Sequence, residues 1–355
     1  MTKIILNSRG IALLITVSVT TILVAGALEY NRRARFTLVS TAAMRDGITL
    51  SQMTASGVHV AMAMLVKDKS ESNADSLVED WANPTNLEEL LGEIPFEDGK
   101  LSVKISDEMG KIQINALVAF PDSRNFNESQ VTLWDRFLSF AGDEEQMQDD
   151  SEPMAIINSI KDWLDSGDDD AITGLSGAES DYYQDLDPPY ASRNGPMPDA
   201  DELTLIKGIT PELFYGSPEK PGISQFLTVH GVADSGTSFT YPGRININTA
   251  ELPVIAALMP IGSEDRAEAL IEYRQEAIES EERPDFSNPG WYKEIPEFGD
   301  VNINPKLIIT SSDIFRIESE ATLYDLKLKT TAVVQRIRDT KTGKWTCKTL
   351  SWKTD

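Results

Sequence analysis

The chain has 355 residues, 41% of them hydrophobic, with ordinary glycine and proline content, which is enough apolar side chain to build two or three folded domains. Its 57 acids against 32 bases give a formal charge of -25, which repels a polyphosphate and argues against nucleic acid as a partner. One cysteine, Cys347, excludes an intramolecular disulfide and reads as a buried or half-buried strand residue, and two histidines far apart, with no H-x-x-x-H or C-x-x-C, do not make a zinc site.

The first element is an apolar run. Ile11 to Leu28 is 18 residues without charge apart from the flanks, a helix of about 27 Å that matches the hydrocarbon layer of a bilayer. Lys3 and Arg9 before it, and Ala25-Gly26-Ala27 near its end, also describe a secretory signal peptide that would be removed. Both readings carry the bulk of the chain out of the cytoplasm. Retention is favoured because apolar residues continue at helical spacing through Phe36, Val39, Ala43, Met53, Val58, Ala61 and Leu65, with no proline before Pro84.

Strand signals follow in two separated places. Leu101 to Ile105 and Lys111 to Ile114 bracket the turn SDEMG, and residues 313–323, 326–339 and 344–352 alternate apolar with polar around turns at Tyr324-Asp325 and DTKTGK. Between these halves the sequence predicts helices at 129–140, 153–165, 200–207, 249–258 and 264–279. GRININTA at 243 and GDVNINPK at 299 share a pattern that reads as two short strands ending in asparagine caps. The stretch from Ile245 to Arg274 also resembles a helix-hairpin-helix, but Glu264, Asp265, Glu268 and Glu272 around its loop give it a scaffold role rather than a DNA-binding one.

From Asp143 to Asp187 the chain carries fifteen acids against one base, Lys161. The part at 144–152 reads as a solvated charge run. The part after Asp162 is different: Trp163 and Leu164 anchor one end in a core, Gly167, Gly174 and Gly177 allow tight turns, and GAESDYYQDLDPPY adds carboxylates beside aromatics. A compact fold of such a loop brings like charges within a few ångströms, which a cation would relieve. Calcium, with its all-oxygen and flexible coordination, suits the composition. The spacing is not that of an EF-hand, since counting from Asp165 the sixth position is Asp170 where glycine is needed and the twelfth is Ser176. Composition alone leaves a metal site and a solvated loop both open.

The junction Ser8-Arg9-Gly10 followed at once by Ile11 resembles the prepilin-peptidase site of type IV pilins and of the pseudopilins of type II secretion. That resemblance implies cleavage after Gly10, N-methylation of Ile11 as the first mature residue, and retention of the apolar helix. Most such subunits carry glutamate as the fifth mature residue; here that position is Ile15, and its absence is a property of the K-type minor pseudopilins. The sequence is similar to that family through RG followed by IALLI, DWLD, GAESDYY, PPY, DELTLIKGI and GRININTAE.

The resemblance implies an α+β fold in which a pilin-like long N-terminal helix packs on an antiparallel β-sheet, with a large mainly α-helical domain inserted between sheet strands. Its implied divisions are a leader at 1–10, a membrane half of the helix at 11–28, a periplasmic half at 29–68, an α/β domain from 69–119 and 301–355, and an inserted domain at 120–300. It also implies calcium in the acidic segment, with Asp165, Asp168, Asp170, Glu179 and Asp181 as candidate ligands and Asn194 as a further one. The implied role is a non-enzymatic subunit at the tip of the pseudopilus, anchored in the bacterial inner membrane with its C-terminal domain in the periplasm. Other minor pseudopilins, the major pseudopilin and the prepilin peptidase are its implied partners. Two alternatives fit the body of the chain: a secreted soluble calcium-binding protein cut after Ala27, and a hydrolase using paired carboxylates.

Overall fold

The computed structural model describes residues 8–92, 96, 98–141, 152–167, 172–234, 236–280 and 283–355. It begins with one unbroken helix, α1 (Ser8–Glu71), 64 residues long. The threonines within it do not interrupt it, because Thr16, Thr20, Thr21 and Thr37 return their hydroxyl protons to carbonyls three or four residues back. Such self-satisfied hydroxyls suit a helix with no water beside it.

The helix has two halves of opposite character. From Ile11 to Ile48 its large apolar residues are exposed, whereas Leu50, Met53, Val58, Ala61 and Leu65 are buried. The change falls where the sheet begins. Gly57 lies so close to the sheet that a Cβ there would meet Ser319 Oγ at 2.4 Å and Val103 Cγ2 at 2.8 Å, so this turn of the helix needs glycine for its close approach.

After α1 come α2 (Pro84–Gly92) and β1 (Lys100–Asp107). A long insertion follows, with helices α3 (Glu128–Ala141), α4 (Pro153–Leu164), α5 (Ser180–Gln184), α6 (Pro211–Tyr215), α7 (Leu252–Leu258) and α8 (Arg266–Glu279). Its strands are two residues each: β2 (Ile112–Gln113), β3 (Leu227–Thr228), β4 (Ala233–Asp234), β5 (Phe239–Thr240), β6 (Ile245–Asn246) and β7 (Ile308–Ile309). The chain ends in β8 (Ile314–Leu323), β9 (Leu326–Arg338) and β10 (Trp345–Thr354). The main sheet has the order β1-β8-β9-β10 and is antiparallel throughout. A long helix on an antiparallel sheet, with a helical insertion between two neighbouring strands, is the α+β arrangement the resemblance implies.

Alternation along β8 sends Phe315, Ile317 and Ala321 toward α1, where they share cores with Val58, Leu65 and Met53. The insertion has its own larger core around Trp134, Phe137, Ile157, Ile160, Leu270 and Trp291.

Two local expectations fail. The run 111–114 does not form a hairpin with β1: Glu108–Gly110 makes a 3-10 turn, and β2 leaves the sheet to pair in parallel with β3. The cause is Glu108, whose buried carboxylate accepts from Lys111 Nζ (2.9 Å), Arg316 Nε (2.5 Å) and Thr228 Oγ1 (2.6 Å) and ties the turn toward the insertion. The segment 299–306 contains no strand; β6 pairs with β7 instead.

The asparagines of GRININTA do more than cap. Asn246 Nδ2 lies 2.9 Å from the Asp75 carbonyl, 2.8 Å from Asp107 Oδ2 and 3.0 Å from Ser312 Oγ, all buried. Asn248 donates to the Phe286 carbonyl (3.0 Å) and accepts from Trp291 Nε1 (2.7 Å). These two side chains tie the helical insertion to β1, to the segment after α1 and to the start of β8.

Candidate metal centre

α4 has the sequence PMAIINSIKDWL, with proline at its first turn and Lys161 in its last. Its apolar face is buried, and the same face ends in Asp162, which is fully buried. Asp165 is the C-cap, its N–H donating to the Lys161 carbonyl at 2.8 Å. The chain then turns back, and Glu179 stands as N-cap residue of α5. Trp163 holds this return in place by packing edge-on against Tyr183 (5.1 Å) and Tyr190 (6.2 Å).

The outcome is a cluster of three buried carboxylates, Asp162, Asp165 and Glu179, each with a ligand oxygen within 4.8 Å of the others. Thr173 N–H donates to both Asp162 oxygens (3.2 and 3.1 Å), and Gly167 N–H donates to Asp165 Oδ1 (3.0 Å). Lys161 Nζ reaches Asp165 Oδ2 at 2.6 Å and Thr173 Oγ1 at 2.9 Å. Burial raises the Asp162 carboxyl above its usual range, opposed by the Thr173 bonds. The return path passes so near that a Cβ on Gly177 would meet Asp162 Oδ2 at 2.0 Å.

The donor set is oxygen only. Among the described residues three carboxylates and the Lys161 ammonium share this buried space, a crowding of negative charge that a divalent, oxygen-seeking cation would relieve. The residues therefore fit calcium.

Of the residues read from the sequence, Asp165 and Glu179 are brought together here. Asp181 is exposed on the first turn of α5 and lies outside the cluster. Asn194 has left-handed backbone (φ 55°); its N–H donates to the Trp163 carbonyl at 3.0 Å and its side chain accepts from Ser192 Oγ at 3.0 Å, so it braces the end of α4 from behind. Asp168 and Asp170 fall outside the described residues. Asp162 was missed. A signal is present in DWLD, which puts Asp162 one helical turn before Asp165 and so on its side of α4.

A second carboxylate group, Asp68, Asp75 and Glu79, already holds a cation of the chain's own. The fully buried Arg336 guanidinium bonds Asp75 Oδ1 (2.6 Å) and Asp68 Oδ2 (3.1 Å), and Glu79 accepts from Ser76 N–H and the Trp81 indole. It is a joint between α1 and β9.

Residues 110–215 match a family model described as "Type II secretion system (T2SS), protein K", and residues 245–304 match a second model of the same description. The type II secretion system protein K of Pseudomonas aeruginosa is 25% identical over 348 residues, covering 94% of this chain and 91% of that protein. The Aeromonas hydrophila protein of the same name is 26% identical over 208 residues; that alignment takes in 58% of this chain and 60% of the relative's length. A chain in the crystal structure of the GspK-GspI-GspJ complex from enterotoxigenic Escherichia coli superposes with a TM-score of 0.62 at 18% identity, covering 89% of this chain and 99% of that one. At that identity the likeness is one of fold.

Proposed function

We propose that this chain, which belongs to the type II secretion system protein K family, is a minor pseudopilin that sits at the tip of the pseudopilus and starts its assembly for the export of folded proteins. One observation carries the reading: α1 is exposed and free of charge from Ile11 to Leu28, stays exposed through a charged stretch to Ile48, and is then buried on the sheet from Leu50 onward. A helix built this way lies in a bilayer by its first half and, when extracted, offers that half to the helices of neighbouring subunits.

In this reading the prepilin peptidase cuts after Gly10, Ile11 becomes the methylated first residue, and the remaining chain stands in the periplasm on a single inner-membrane span. At position 15 an isoleucine replaces the carboxylate that would neutralise the terminal amine of the next subunit, so nothing is prepared to pair with a subunit above. The helical insertion between β1 and β8 adds bulk in the same direction. Both features support a position first in the filament, joined to other minor pseudopilins and followed by the major one. The role is structural rather than enzymatic. Calcium, held by Asp162, Asp165 and Glu179 with carbonyl or water oxygens completing its shell, fixes the return from α4 to α5.

The test separates anchoring from assembly. Residues 11–28 are replaced by the apolar helix of an unrelated single-span protein, and the chain is co-expressed with the other pseudopilins of its secretion system. The chimera is expected in the membrane fraction but no longer co-purifying with other minor pseudopilins. Full co-purification would contradict assembly through this helix.

A further inference from the structure

We propose that the outer edge of β10 and the basic loop preceding it receive an extended acidic polypeptide segment, which pairs with β10 as a fifth strand of the sheet. The argument starts from the distribution of charge. Residues 326–354 hold eight basic residues and one acid, whereas the other 326 residues hold 24 bases and 56 acids. A hairpin of one sign stands on a body of the other.

Not all of that charge is available. Arg336 is buried between Asp68 and Asp75, and Lys327 and Lys329 pair with Glu320 and Glu318 on β8. Arg338, Lys341, Lys344 and Lys348 are exposed and form no ion pair among the described residues. They gather at one end of the hairpin, because Trp345 faces Arg338 across the ladder and Lys348 faces Gln335.

The main chain beside them is open. β10 ends the order β1-β8-β9-β10, and no strand among the described residues covers its outer side. Lys329 and Asp355 exchange both backbone bonds, and Asp339 N–H donates to the Lys344 carbonyl. The alternation of an antiparallel ladder then turns the N–H and C=O of Cys347, Thr349 and Trp352 outward. Leu350 (38% exposed) and Trp352 (43%) offer apolar surface along the same strand.

Exposed lysines and the register shift between Thr349 and Ser351 are devices that keep sheet edges from joining indiscriminately. Here they exclude a second copy of this chain, whose edge carries the same charge, and favour a strand bearing carboxylates. A bilayer is too distant to be the partner. The patch is level with Leu65, whose carbonyl accepts from Arg336, while the apolar span ends at Leu28, roughly 55 Å down the helix. The proposal stands on the sheet edge and does not depend on the assembly role.

The probe is a fluorescein-labelled ten-residue peptide alternating valine and glutamate, with a valine–lysine peptide as control, added to the full chain in detergent. We expect saturable binding of the valine–glutamate peptide only, with hydrogen-exchange protection gained in 345–354. Binding should weaken at least tenfold in Lys341→Glu/Lys344→Glu/Lys348→Glu, whose side chains are all exposed. Thr349→Pro removes one outward N–H and no ladder bond, and should weaken binding several-fold. Equal binding of both peptides, insensitivity to the charge reversal, or protection outside β10 would overturn the proposal. Binding of the wild-type chain to phosphatidylglycerol vesicles, without binding of the peptide, would overturn it in favour of a lipid surface.

Discussion

Asp162 is the residue on which the proposed metal centre turns. It is fully buried, its carboxyl is raised by burial, and its Oδ2 faces the backbone at Gly177. Calcium at a hundred times its dissociation constant would add about 2.7 kcal/mol to stability, a rise of several degrees in thermal midpoint. We expect Asp162→Ala and Asp165→Ala each to abolish that rise, and Asp181→Ala to leave it intact. An unchanged rise in both of the first two would remove calcium from this site. Glu108 supplies a pH test. Burial would push its carboxyl up, but Lys111, Arg316 and Thr228 outweigh burial and hold it at about 2. Its stabilisation is therefore complete above the ordinary value of 4.5 and is lost as pH falls through 2. Glu108→Gln should destabilise by about 3 kcal/mol at neutral pH, with the gap from wild type closing in acid; a gap constant from pH 7 to 2 would contradict the ion-pair account. The candidate ligands were partly legible because aspartates beside Trp163 announce a buried acid. Which acids meet was not, since the pairing of Asp165 with Glu179 depends on how the intervening turn returns and not on spacing.

At the scale of elements, the periodic segments were the readable ones. The helices at 128–141 and 153–164 and the strands at 314–323 and 326–338 lie within a residue or two of the expected spans, because each has a long amphipathic pattern. The run 111–114 misled because alternation specifies a strand and not its partner; the buried tie of Glu108 to Thr228, 120 residues away, decided the pairing. The same holds for GRININTA, whose asparagines reach Asp75, Asp107, Phe286 and Trp291. Removing Asn246 takes a two-proton donor out of a buried cluster, where the Asp75 carbonyl keeps only its bond from Asn248 and Asp107 Oδ2 only those from Thr249 and Ser312. Asn246→Ala should therefore lower stability on the order of 3 kcal/mol, and a loss below 1 kcal/mol in chemical denaturation would show that the clasp is dispensable. In α1 the position that matters for assembly is Ile15. Ile15→Glu adds a carboxylate but leaves the exposed apolar face, so assembly should change less than on deletion of 11–28. Equal losses from the two changes would sink the argument that position 15 marks a subunit with none above it.

The whole molecule joins three parts with different surroundings. The start of α1, Ile11 to Leu28, is apolar and exposed, the part from Leu50 onward is the spine of a sheet, and the insertion between β1 and β8 carries its own core and its own cluster of buried carboxylates. The decisive measurement is the mature N-terminus, taken by mass spectrometry on protein isolated from its native membrane. The account predicts a chain that begins at an N-methylated Ile11. A chain that begins at Leu28 would mean that the long apolar helix is discarded, and it would contradict assembly through α1 at its root.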